Sequence, residues 1–115
     1  MNTPLTVHGR VLATDEEGFL EDTSDWDRDV AQEIASKENL DLNDERWRIV
    51  QYVRDYFETQ HKVPEARTLL KAMEQLFGKE RATRKYLYQL FPYGYGQQAC
   101  KIAGMRKPRK LMLDV

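Results

Sequence analysis

The sequence predicts an α+β fold: a small N-terminal β-hairpin, a helical bundle containing a helix–turn–helix, and a flexible C-terminal arm. Three observations predict it. Apolar residues sit at strand-like spacing over 5–13 and recur every three to four residues from Trp26 onward, so the period switches once from strand to helix. Asn43, Pro64, Gly78 and Pro92 then punctuate the helical part into short segments. The last residues, "MRKPRKLMLDV", combine Pro108 with four cations and little periodicity, as a loose arm does.

Taken in order, "LTVHGRVLA" places Leu5 and Val7 on alternate positions, with Val11 and Ala13 after a break at Gly9. The following "TDEEGFL" supplies a turn in which Gly18 is free to take positive φ, so a hairpin is predicted over roughly 4–13 and 18–21. Trp26, Val30 and Ile34, with Ala31 and Ala35 beside them, mark one face of a helix capped by Ser24 or Asp25. A second helix is predicted over 44–59 with Asn43 as its cap. Trp47, Val50, Val53 and Phe57 line one strip of it, and Ile49, Tyr52 and Tyr56 widen that strip, which marks a central helix. Pro64 suits the first turn of a third helix and Gly78 its left-handed stop, with Ala66, Leu69, Leu70, Met73 and Leu76 facing the core. A short helix through "YLYQLF" must end near Phe91, ahead of Pro92. "FPYGYGQQACKIAG" reads as a glycine-hinged loop, then one or two helical turns over 97–103 stopped by Gly104. One domain over 1–104 and an arm over 105–115 are expected.

A chain of 115 residues can bury a real core, about two-thirds of the surface its unfolded form exposes. It has no apolar run long enough to cross a membrane, and its start lacks the basic-then-apolar order of a secretory signal. One cysteine forms no disulfide within the chain, so a cytoplasmic protein is expected. The net charge of −1 hides a division. Residues 1–61 carry six Lys/Arg against fifteen Asp/Glu, and residues 62–115 carry twelve against four. Either the halves attract each other or the basic half faces an anionic partner.

Few residues combine into chemistry. His8 and His61 each stand without a local Cys, His or carboxylate at ligand spacing and read as surface histidines. The acids of "EDTSDWDRD" and "DLNDE" lack the glycine and terminal glutamate of an EF-hand loop. No Gly-rich phosphate loop and no Ser/His/Asp arrangement is present, so hydrolase and nucleotide readings lose support and no metal or cofactor is expected. Cys100 is different. It is expected exposed near the arm, where Lys101, Arg106 and Lys107 favour its thiolate; the plainer reading is an ordinary free thiol. Lys79, Arg81, Arg84 and Lys85 make the turn of the helix–turn–helix and the start of its second helix basic, which in outline resembles a DNA-reading motif.

The stretch "YLYQLFPYGYGQQACKIAGMRKP", residues 86–108, closely resembles the C-terminal signature of the DsrC/TusE family. The resemblance extends upstream through "GFLEDTSDWDRDVA", "WRIVQYVRDYF" and "LLKAMEQLFG", in the family's order and spacing. It implies the same hairpin-plus-helices fold with a mobile arm, and it implies sulfur trafficking through persulfides on arm cysteines. The TusE branch passes sulfur towards tRNA 2-thiouridine synthesis, and the DsrC branch is partner and substrate of dissimilatory sulfite reductase. By the same resemblance Cys100 corresponds to the upstream arm cysteine of DsrC, which TusE lacks. The family's penultimate cysteine falls at Leu111 here. Tyr95 and Arg106 stand where the family has prolines, which predicts a looser arm, and Arg109 and Lys110 add charge ahead of an apolar end at Leu111, Met112 and Leu113.

The expected function is therefore a sulfur-relay protein that accepts, and passes on or senses, sulfane sulfur on Cys100. It would be a monomeric carrier, sulfurtransferase-like at most, working with sulfurtransferase-type or sulfite-reductase-type proteins. The alternative is a regulatory helix–turn–helix protein that docks on nucleic acid through Lys79, Arg81, Arg84 and Lys85, or on a protein partner, with Cys100 as a redox or persulfide switch.

Overall fold

In the computed structural model, which describes residues 4–107, the chain opens with β1 (Leu5–Val7) and β2 (Arg10–Leu12). They pair antiparallel, Leu5 opposite Leu12 and Val7 opposite Arg10. His8 and Gly9 both take positive φ, 49° and 82°, which is the twist a two-residue hairpin turn requires. The run expected as one strand over 4–13 thus folds back on itself at its own glycine. A second reversal follows at 15–18, where Asp15 Oδ1 accepts from the amides of Glu17 and Phe19 at 2.9 and 3.0 Å. An isolated bridge between Thr14 and Leu20 closes it. Leu5, Val7, Leu12, Phe19 and Leu20 are buried beneath this region.

The next segment corrects the expected helix start. Asp22 caps a single 3₁₀ turn, Thr23–Asp25, and Trp26 leaves that turn extended with ψ 139°. Helix α1 (Arg28–Lys37) begins after it, capped by Asp27, whose Oδ1 accepts from the Val30 amide at 2.9 Å. Neither Ser24 nor Asp25 is the helix cap, because both are already used in the tighter turn. Trp26 therefore stands ahead of the helix instead of on its face.

Helix α2 (Asp44–Gln60) starts where predicted, with Asn43 Oδ1 accepting from the Arg46 amide at 2.9 Å. It buries Ile49, Val50, Val53 and, unexpectedly, Arg54. Helix α3 (Ala66–Phe77) ends at Gly78, which takes φ 95°. A 3₁₀ turn at Lys79–Arg81 leads to α4 (Arg84–Leu90), capped by the Thr83 hydroxyl. The last helix among the described residues, α5 (Ala99–Ile102), lies against both α1 and α2. It is part of the core, and the burial continues through Met105. That is one residue past the expected boundary at 104. Residues 108–115, which hold most of the predicted arm together with Leu111, lie outside the described residues.

Candidate functional site

Four residues of helix form only if their ends are satisfied, and α5 meets that condition at its C-terminus without exception. Gly104 adopts φ 79° and donates its amide to the Lys101 carbonyl at 3.0 Å, while Met105 donates to the Cys100 carbonyl at 3.0 Å. This is the paired closure that a left-handed glycine permits. The two remaining carbonyls are taken by side chains from other elements. Trp26 Nε1 donates to Ile102 at 2.7 Å, and the Arg54 guanidinium donates to Ala103 at 3.3 Å. Arg54 also pairs with Glu58 at 2.9 Å and lies 4.8 Å over the Trp26 ring. Trp26 in turn stacks on Trp47, centroids 6.4 Å apart.

Upstream, the loop that leads into α5 is pinned as well. Tyr95 is buried and donates its hydroxyl to the Pro64 carbonyl at 2.8 Å. Gln98 is buried and accepts from the Tyr93 amide at 3.1 Å. Tyr95, standing in place of a proline, is therefore tied to the core by its own side chain. An aromatic ring with a satisfied hydroxyl anchors the loop through the core instead of through a restricted φ.

Cys100 sits in the middle of this construction and is 0% exposed. Burial pushes its thiol above the ordinary value of 9.0. Its expected placement as an exposed thiol supported by cations does not match this geometry. Lys101 is itself buried, and its ammonium pairs with Glu38 at 3.2 Å and faces the Phe19 ring at 5.0 Å. Lys107 pairs with Glu17 at 2.7 Å, which raises the Lys107 pKa, and Arg106 is exposed. The error has a simple source. A helical wheel of "QQACKIAG" gives no sign of which side faces the core when every side of so short a helix is covered.

Lys79, Arg84 and Lys85 are exposed, while Arg81 is held by an ion pair to Glu45 and lies 5.9 Å over Tyr86. Leu87 and Leu90 of α4 are buried. Among the described residues no group of three or more His, Cys, Asp or Glu converges as a metal site would, and no helix is long and apolar enough to cross a membrane. Sequence reasoning missed Trp26 and Arg54 as parts of this site. The only trace of Arg54 was a cation interrupting the apolar strip of α2.

Fold and site together define a class: a small hairpin-led helical protein with its one thiol seated in a C-terminal helix of the core. The chain belongs to the DsrC-like family, whose model, described as DsrC like protein, matches residues 6–112. It is 42% identical over 106 residues to the sulfurtransferase TusE of Escherichia coli (strain K12), covering 92% of this chain and 97% of that one. Among solved structures it is similar to the oxidised γ-subunit of dissimilatory sulfite reductase, DsrC, from Archaeoglobus fulgidus. That likeness has a TM-score of 0.87 at 37% identity, over 93% of this chain and 97% of the other. Allochromatium vinosum DsrC is 43% identical with a TM-score of 0.84, over 95% and 97%.

Proposed function

We propose that this protein works in sulfur relay and that Cys100 carries the sulfur. The relay reading is carried by one observation, the 42% identity over nearly the whole chain to a sulfurtransferase; the choice of Cys100 rests on its being the one cysteine of the chain, at the position where DsrC and not TusE has one. The step is an exchange without net oxidation. The Cys100 thiolate attacks the outer sulfur of a donor persulfide, the donor's S–S bond breaks, and the donor leaves as a thiol that takes up the proton Cys100 gave. Cys100 then holds a persulfide, and a partner thiolate can remove its outer sulfur by the same attack. In the closed structure the thiol is neutral and covered, so transfer requires α5 to lift. The chain acts on a protein partner that brings the donor, of the sulfurtransferase or sulfite-reductase type; its likeness to a γ-subunit of dissimilatory sulfite reductase supports the second.

Intact mass after incubation with a sulfurtransferase and a sulfane donor tests this. A gain of one sulfur, about 32 Da, on the wild type and not on Cys100→Ala is the expected result. No gain from any donor, with a thiol that still alkylates, removes the carrier role. The burial of Cys100 favours a second reading in that event, a family member that occupies a partner's docking face without carrying sulfur.

A further inference from the structure

At the end of α5 the carbonyls of Cys100 to Ala103 are closed by two backbone amides and two side chains, and the side chains come from outside the segment. Trp26 belongs to the extended link before α1, and Arg54 to the middle of α2. A four-residue helix has no stability of its own, since nucleation outweighs the few bonds it makes. Its position, and therefore the cover over Cys100, depends on what holds it from outside. The segment is also well placed to move as a unit. It is flanked by glycines at positive φ, Gly94 at 90° on one side and Gly104 at 79° on the other. Lifting it uncovers Cys100 and the faces of α1 and α2 that it packs against, while α2 and α3 keep their own packing; such partial openings cost less than global unfolding.

We infer that Trp26 and Arg54 clamp α5 shut, and that release of these two donors is the event that exposes the Cys100 thiol. They are positioning residues: neither touches the sulfur, and both act through the backbone that carries it. The inference builds on the sulfur-relay reading but concerns access alone, so its test uses no sulfur donor. The ladder Arg54–Trp26–Trp47–Arg28, with Arg28 lying 4.6 Å over Trp47, places both tryptophans of the chain in the clamp, so indole fluorescence reports its opening.

The experiment is the rate at which iodoacetamide labels Cys100 in the folded full-length protein across low urea concentrations, for wild type, Trp26→Phe, Arg54→Gln and a Leu69→Ala control in α3. A local opening exposes little surface, so its rate is nearly flat in urea, whereas labelling through global unfolding rises steeply. The expected result is a flat low-urea rate in the wild type. Trp26→Phe, which keeps a ring and removes the N–H donor, raises that rate about three- to tenfold, as does Arg54→Gln. Leu69→Ala lowers global stability and leaves the flat rate unchanged. A wild type that labels only with the steep dependence overturns the clamp, and so do clamp variants whose rates follow the control. If Trp26→Phe does not fold, Arg54→Gln and the wild-type urea series decide the matter alone. A chain that opens locally yet gains no sulfur retains the clamp and loses the relay reading. One that gains sulfur while labelling ignores Trp26 does the reverse.

Discussion

Cys100 is held as a neutral thiol by burial, and that state ties stability to pH. Between 9.0 and the higher folded value, the unfolded chain gives up a proton that the folded chain keeps. The thiol's contribution is therefore complete below that window and is lost as pH rises through it, with a limiting slope of about 1.4 kcal/mol per pH unit. Urea denaturation at about pH 8 and about pH 10 should show the wild type losing roughly 1 kcal/mol more than Cys100→Ala does. Equal losses would mean that the thiol is already exposed in the folded state. Gly104 gives a sharper test of the same place. A Cβ there would come within 2.7 Å of Trp26 Cβ, at a φ that L-residues enter only with strain. Gly104→Ala should cost at least about 2 kcal/mol in denaturation, from αL strain plus overpacking. Little of this was legible in the sequence. Gly104 as a helix stop was, because a C-terminal glycine is a local signal. The indole against it was not, because Trp26 and Ile102 are 76 positions apart and nothing in the spacing of either stretch pairs them.

Asp27 joins two elements. One carboxylate oxygen caps α1 and the other accepts from Arg10 of β2 at 2.7 Å, so the hairpin and the helix start share a residue. Asp27→Ala should cost about 1 to 2 kcal/mol, most of it the cap, while Asp27→Ser keeps a cap acceptor and should recover the larger part. Thermal or chemical denaturation of both variants decides it, and a serine as costly as alanine would shift the weight to the Arg10 pair. The capped and stopped helices were the legible part of the fold. Asn43 before α2 and Gly78 after α3 were readable because capping is chemistry within a few residues. The start of α1 was not, since Asp22, Ser24, Asp25 and Asp27 offered equivalent acceptors in one stretch, and only the competing 3₁₀ turn sorts them. The hairpin was placed correctly at the amino end, but its turn at His8–Gly9 was missed, because alternation alone does not reveal a positive φ at a non-glycine.

Across the whole molecule, the acidic first half and the basic second half are fastened to each other. Arg81 pairs with Glu45, Lys101 with Glu38 and Lys107 with Glu17, each a second-half cation on a first-half acid. Of the two readings that the charge division allowed, mutual attraction thus has direct support. The three pairs differ in kind. Lys107 and Glu17 are exposed, so salt should screen them almost fully as the Debye length falls from about 10 Å at 0.1 M to about 3 Å at 1 M. Lys101 and Glu38 keep only 8% and 22% of their side-chain surface in solvent, so ions cannot approach them closely. Lys101→Met should cost about 2 kcal/mol, less than breaking a fully buried pair because Glu38 retains some water, and the loss should barely change between low and high salt. Lys107→Ala should cost little, and that little should vanish in high salt. Urea titrations of both variants at two salt concentrations separate the pairs. A Lys101→Met loss that salt erases would show that α5 sits in water more than its burial allows. The closed state of the cysteine would then rest on the surface pair at its end instead of on the core beneath it.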